Sequence, residues 1–149
     1  MKKVCENTMK AEFPSLSQNE ALARALVSSF VMQMNPTVSE LADIKCAVSE
    51  AVTNCTVHAY RDTVGPILIT VKSYSDRTVK IEIKDRGIGI EDIAEAMQPL
   101  YTTDRESERS GLGFTVMESF CDKLRVTSKP KKGTKITLIK ALSKLYSAT

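Results

Sequence analysis

The stretch "DRGIGIEDIAEAMQPLYTTDRESERSGLG", Asp85 to Gly113, holds four of the chain's six glycines, two at each end of a charged, threonine-bearing segment. Glycine reaches backbone conformations that other residues avoid and lets another group lie against bare main chain. Paired glycines at both ends therefore mark two turns with a segment slung between them. Asp85 keeps the parity of Val79, Ile81 and Ile83 in the preceding run, so its carboxylate points toward the side those residues bury. A buried carboxylate is costly unless it accepts hydrogen bonds. Asp85 fits either a structural cap on the turn Arg86 to Gly89 or an acceptor for the amino group of a purine lying along Gly87 and Gly89. At the far end, Ser110-Gly111-Leu112-Gly113 leads into "FTVMESF", whose first backbone N–H groups and positive dipole end suit a phosphate. Neither glycine pair is a P-loop, for no Gly-Lys-Ser/Thr follows, nor a dinucleotide fingerprint, since no strand runs directly into the glycines.

Before this stretch the apolar period is two. Ile67, Ile69 and Val71 alternate with Leu68, Thr70 and Lys72, and Val79, Ile81 and Ile83 alternate with Lys80, Glu82 and Lys84. This predicts two strands joined through "SYSDR". Leu124 to Ser128 and Lys135 to Ile139 predict a further pair around "KPKKGTK", read as a solvated hairpin tip, and Met9 to Phe13 adds an edge strand. Nearer the N-terminus the period lengthens. "LSQNEALARALVSSFVMQMNP" opens on a capping box, Ser17 with Glu20, and must stop before Pro36, which predicts a helix of about 18 residues. A second box, Thr37 with Glu40, opens a helix in which Leu41, Ile44, Val48, Ala51, Val52, Cys55 and Ala59 keep to one stripe. Glu91 to Met97 and Gly113 to Asp122 predict short helices. Antiparallel strands with helices on one face imply a two-layer α+β sandwich, with a mixed, mostly antiparallel sheet, in one domain spanning 1–149.

Composition narrows the function classes. The chain has 149 residues, 42% hydrophobic and 26% charged, in the range of an ordinary globular domain. No apolar run approaches the roughly 20 residues of a membrane span, and the N-terminus is polar where a signal peptide is apolar, so a cytoplasmic protein without a membrane partner is expected. A net charge of +3 is too small to argue for nucleic acid. Cys5, Cys46, Cys55 and Cys121 form no CxxC, and His58 is the only histidine, so a zinc set is excluded and free, mostly buried thiols are expected.

One polar pair stands out on the second helix. Glu50 and Asn54 are one turn apart, roughly opposite the apolar stripe, and share a face with Ala47 and Val57. By themselves they fit an exposed polar pair as well as the wall of a cleft.

Taken together, "EAVTN" (Glu50 to Asn54), "DRGIG" (Asp85 to Gly89) and "GLG" (Gly111 to Gly113), in this order, resemble the N, G1 and G2 boxes of the ATPase and kinase superfamily of gyrase B, Hsp90, histidine kinases and MutL, the Bergerat fold. The segment at about 98–113 then looks like that superfamily's ATP lid. Nearly the whole chain is similar to the anti-sigma serine kinases of spore-forming bacteria, through "LSQNEALAR", "VSEAVTNCTVHAY", "QPLYTTDRESERSGLGF" and "KGTKITLIK". The resemblance implies an anti-sigma factor that binds and inhibits a sporulation sigma factor of the sigma-F type. It further implies that, with ATP and Mg²⁺, the chain phosphorylates a serine of an anti-anti-sigma protein, as a homodimer. Glu50 would be the general base, Asn54 the Mg²⁺ ligand, and Arg109 the cation at the γ-phosphate, unless it pairs with Glu106 or Glu108. Asp85 would accept the adenine amino group, with Gly87 and Gly89 beside the base and Thr134 supporting the carboxylate. Ser110, Gly111 and Gly113 would bind phosphate, and Asn19, Arg24 and Thr53 would meet the protein partners. A sigma-binding protein that ATP merely gates, without useful phosphotransfer, and a related general-stress anti-sigma kinase remain as alternatives. Arg86, where the family usually has an acidic residue, and Ala59, where it often has glycine, depart from the pattern and bear on nucleotide affinity.

Overall fold

In the computed structural model, which describes residues 3–90, 97 and 113–145, the chain begins with β1 (Cys5–Pro14), α1 (Asn19–Met32) and α2 (Val38–Thr53). A π-helical turn (Asn54–Ala59) prolongs α2, and β2 (Pro66–Tyr74), β3 (Thr78–Asp85), α3 (Phe114–Phe120), β4 (Lys123–Lys129) and β5 (Gly133–Ala141) follow. The strands lie in the order β1-β2-β3-β5-β4, and each described pair is antiparallel, where a mixed sheet was expected. The helices cover one face of the sheet, which is the α+β sandwich that the two periods predict.

Register explains the core. Ile69 pairs with Ile83, Val71 with Ile81, Ile83 with Ile136 and Ile81 with Leu138, so one face carries β-branched and leucine side chains in continuous rows. All of them are buried, against Ile44, Val48, Ala51, Val52 and Cys55 of α2 and its extension and Ala23, Val27 and Val31 of α1. Each large side chain removed from water in this way is worth roughly 1.5–3 kcal/mol. The other face carries Lys72, Lys80, Glu82, Lys84 and Lys135, with a Lys80–Glu82 ion pair at 3.1 Å.

The two predicted capping boxes part company. At α2 the Glu40 amide donates to Thr37 Oγ1 at 3.0 Å and the Thr37 amide donates to Glu40 Oε1 at 2.8 Å. Glu40 Oε2 also accepts from the Ser143 amide at 2.7 Å, tying the segment after β5 to the start of the helix. Burial alone would raise the Glu40 carboxyl, but the hydrogen bonds from Thr37 and Ser143 outweigh it and hold the group below its ordinary value. At α1 no box forms. The chain already turns at Leu16 to Asn19, Gln18 is the cap without a side-chain bond, and the Glu20 carboxylate is drawn across to Thr53. The helix is accordingly shorter, at 14 residues.

Three further expectations change. The edge strand extends to ten residues because β1 pairs with the whole length of β2. Only Cys55 is buried: Cys5 lies on the exposed edge strand and Cys46 on the outer side of α2, while Cys121 is half-buried and pushed up to about 11, chiefly by burial. The Lys129 to Lys135 turn is not merely solvated, for the Lys131 amide donates to Ile88 O at 2.6 Å and docks the hairpin on the Asp85 turn. The predicted helix at Glu91 to Met97 lies, but for Met97, outside the described residues, as does the segment 98–112. No described helix is long and apolar enough to cross a membrane.

Replacing Thr37 by Ala removes the side-chain half of the α2 box and is expected to lower stability by about 1 kcal/mol in urea unfolding. The same change at Ser17, which caps nothing, is expected to stay within about 0.5 kcal/mol.

Candidate functional site

Of the polar pair on α2, Glu50 lies against Gly113, the last residue of the second glycine turn. Glu50 is half-buried one turn before the helix widens, and Asn54 opens the π-helical turn at 8% exposure. Among the described residues Asn54 Nδ2 is buried with no hydrogen-bond partner. An unsatisfied buried amide costs about 1–3 kcal/mol, and π turns of this kind recur at functional sites.

At the end of β3, Asp85 is 4% exposed, as its parity predicts. Its Oδ1 accepts two backbone N–H groups, from Gly87 at 2.9 Å and Thr134 at 3.1 Å. Its Oδ2 accepts the Cys55 thiol at an S···O distance of 3.6 Å. Burial pushes the Asp85 carboxyl up from its ordinary value, and the bonds from Gly87, Thr134 and Cys55 oppose that rise without cancelling it. The structure therefore joins both readings of this residue: it caps the turn through one oxygen and presents the other toward the helix.

The glycines here are needed for close approach. A Cβ on Gly87 would strike the Ala59 carbonyl, which accepts from the Ile88 amide at 3.2 Å, and Gly89, at φ +75°, presses on the Lys129 carbonyl. Ala59 is in the π-helical turn without a positive φ, so its replacement of glycine removes no freedom the backbone uses. Tyr60 Oη receives the Arg86 amide at 2.6 Å and donates to Pro66 O at 2.7 Å, fixing the turn from below, while the Arg86 side chain is exposed. Thr134 has a second bond, its Oγ1 lying 2.8 Å from Ser128 Oγ, and Ser128 Oγ accepts from the Ile90 amide at 2.8 Å.

Gly113 caps α3 in the left-handed region at φ +69°, and a Cβ there would collide with the Glu50 carboxylate. The fold thus brings the α2 carboxylate to the second glycine turn, with Asn54 one turn further along the same helix. Arg109, Ser110 and Gly111, with the rest of residues 98–112 of the proposed lid, lie outside the described residues. Asn19, Arg24 and Thr53 make none of the hydrogen bonds at Asp85. Asn19 Nδ2 donates to Pro14 O at 2.9 Å, Arg24 is exposed 3.4 Å from Ser49 Oγ and 3.7 Å from Glu20, and Thr53 Oγ1 donates to Glu20 Oε2 at 3.2 Å. Arg24 and Glu50 share the lining of an open groove of about 710 Å³ between α1, α2 and α3, with Ser28, Cys46, Ser49 and Phe120.

The described residues offer no group of three or more His, Cys, Asp or Glu able to hold a metal ion. A neutral amide such as Asn54 suits instead a cation whose charge is met mainly by the phosphates of a bound substrate. Sequence reasoning missed Cys55, Tyr60, Ser128 and Gly133 as parts of this site. Only Gly133, in "KGTK", carried a signal, and the structure gives it a reason: at φ +105° it packs on the Asp85 carbonyl. The other three sit on apolar stripes or a strand, where partners come from remote segments.

A family model described as "Histidine kinase-like ATPase domain" matches residues 13–140. The "Anti-sigma F factor" of Bacillus subtilis (strain 168) is 50% identical over 140 residues, covering 93% of this chain and 95% of that protein. The protein of the same name from Thermoanaerobacter sp. (strain X514) is 53% identical over 135 residues, covering 90% of this chain and 93% of that one. Among solved structures, the RsbU and RsbW domains of a Mycobacterium tuberculosis protein superpose with a TM-score of 0.70 at 21% identity, over 94% of this chain and 34% of that one. The catalytic domain of the histidine kinase ThkA superposes with a TM-score of 0.56 at 17% identity, over 90% of this chain and 96% of that one. Likeness at these identities is one of fold.

The raised Asp85 carboxyl has a definite effect on stability. The folded protein holds this proton more tightly than the unfolded chain, so the contribution is fully present below the ordinary value of 3.8 and is lost as pH rises through the higher folded value. Urea unfolding of wild type and Asp85→Asn should show the difference in stability moving in favour of the variant as pH is raised from below 3.8 to neutrality. A difference independent of pH would contradict this.

Proposed function

The chain belongs to the histidine kinase-like ATPase family and, within it, to the anti-sigma F factors, and from that premise we propose an ATP-dependent protein serine kinase that also sequesters a sporulation sigma factor. The observation that carries the kinase half is the Glu50 carboxylate against Gly113, with the Asn54 amide one turn away. A carboxylate held at a phosphate-binding turn can take the proton from a serine hydroxyl as that oxygen attacks. ATP would enter as substrate: Asp85 would accept its adenine amino group, Gly87 and Gly89 would leave room for its ring, and Thr134 would hold the carboxylate. Its phosphates meet Ser110, Gly111 and Gly113, and Arg109 offsets the charge that develops on the transferring group. Asn54 would supply an oxygen to Mg²⁺, which would offset the charge of the phosphates.

The partner half rests on α1. Arg24 is exposed at the rim of the groove that Glu50 also lines, so a protein docking there reaches the carboxylate. We assign Asn19, Arg24 and Thr53 to a surface shared by the sigma factor and the anti-anti-sigma protein, on a homodimer. Thr53 and Arg24 both bear on Glu20, so contact at α1 is transmitted to the residue beside Asn54. Phosphorylation adds a charge of roughly −1.5 to −2 to the acceptor and weakens its hold on this surface, which gives partner switching a direction.

Transfer of labelled γ-phosphate to the serine of the anti-anti-sigma protein should fall by about 10²–10⁴-fold in Glu50→Gln, with ATP binding retained. Equal transfer by both proteins would remove Glu50 as base, and absence of transfer by both would leave a nucleotide-gated sigma-binding protein. Binding tests against sporulation and general-stress partners separate the two kinds of anti-sigma kinase.

A further inference from the structure

We infer that Cys55 is a positioning residue for recognition of the base, setting the orientation of the Asp85 oxygen that reads a 6-amino purine. This deepens the nucleotide reading above and rests on it. An ionised carboxylate has about four acceptor positions, two on each oxygen. Oδ1 uses its two on the amides of Gly87 and Thr134, at 2.9 and 3.1 Å. Oδ2 receives the Cys55 thiol at 3.6 Å, which engages one position and points the other along a single direction. The three donors come from three separate segments: the turn after β3, the start of β5, and the π-helical extension of α2. Together they fix both the place and the plane of the carboxylate.

The geometry gives the thiol a particular fitness. Cys55 is fully buried among Ala51, Val52 and the sheet, where a small apolar side chain is required, yet it faces a carboxylate that needs a donor. A thiol answers both demands, being apolar in bulk with a weak S–H donor that a low-dielectric interior strengthens. The widened turn contributes as well. The Tyr60 amide donates to Cys55 O at 3.1 Å across five residues, so the turn that presents Asn54 on one side presents Cys55 to Asp85 on the other. The residue proposed for the phosphate end and the residue that orients the base contact are consecutive in the chain, and one local distortion positions both.

The test compares wild type, Cys55→Ala, Cys55→Ser and Asp85→Asn, each titrated by calorimetry with Mg-ATP and with the Mg complex of purine riboside triphosphate, which lacks the 6-amino group. Cys55→Ala should bind ATP roughly 3–10-fold more weakly and the amino-free triphosphate about as well as wild type, so that the preference for the amino group falls. Cys55→Ser, which keeps a donor, should retain the preference. Melting of the nucleotide-free variants reports the packing cost separately. A preference unchanged in Cys55→Ala, or lost equally in Cys55→Ser, overturns the role of the thiol. If Asp85→Asn itself leaves the preference unchanged, it is the assignment of Asp85 to the base that fails, and the role of Cys55 falls with it for that distinct reason.

Discussion

A carboxylate taken out of water has to be met by donors, and the site is built around that requirement at Asp85. The end of β3 puts its side chain on the buried face by parity alone. Satisfying it then calls for Gly87, whose amide can reach back only because no Cβ stands between it and Ala59. It calls also for the Thr134 amide, which arrives only because Gly133 lets β5 begin against the Asp85 carbonyl. The thiol of Cys55 completes the set from the helical layer. The same few atoms thus join sheet, turn and helix.

The second element of the structure is the separation of Asp85 from Glu50. Asp85 and Glu50 belong to different layers, and α2 with its π-helical extension spans them. The helix presents Glu50 to Gly113 and Asn54 one turn later, then widens and presents Cys55 to Asp85. Rigid packing of the Ile44, Val48 and Val52 stripe on the isoleucine rows of β2, β3 and β5 holds that span. The core therefore does more than stabilise the fold, since any shift of α2 on the sheet would move Glu50 and Cys55 together. On the outer side, Glu20 links Thr53 and Arg24, so α1 and α2 share side-chain contacts there.

Much of the architecture was readable from spacing. Alternation at Ile67 to Val71 and Val79 to Ile83 marked two strands, and the stripe from Leu41 to Ala59 marked the long helix, because periods of two and 3.6 are local properties of the backbone. The Thr37 box was readable for the same reason. The Ser17 box was not, because an identical local pattern loses its Glu20 when Thr53, from another helix, competes for the carboxylate. The solvated reading of the Lys129 to Lys135 turn failed likewise, since only the closed sheet carries Lys131 to Ile88.

By itself the sequence determined the periods, the glycine turn after Asp85, the inward parity of Asp85 and the common face of Glu50 and Asn54, all of which depend on neighbours a few residues apart. The tertiary structure alone decided that Glu50 meets Gly113, that Thr134 and Cys55 converge on the two oxygens of Asp85, and that Asn54 keeps a buried Nδ2 with no partner among the described residues. Those outcomes depend on strand register and layer packing between segments far apart in the chain, and no local period encodes which remote donor will reach a buried acceptor.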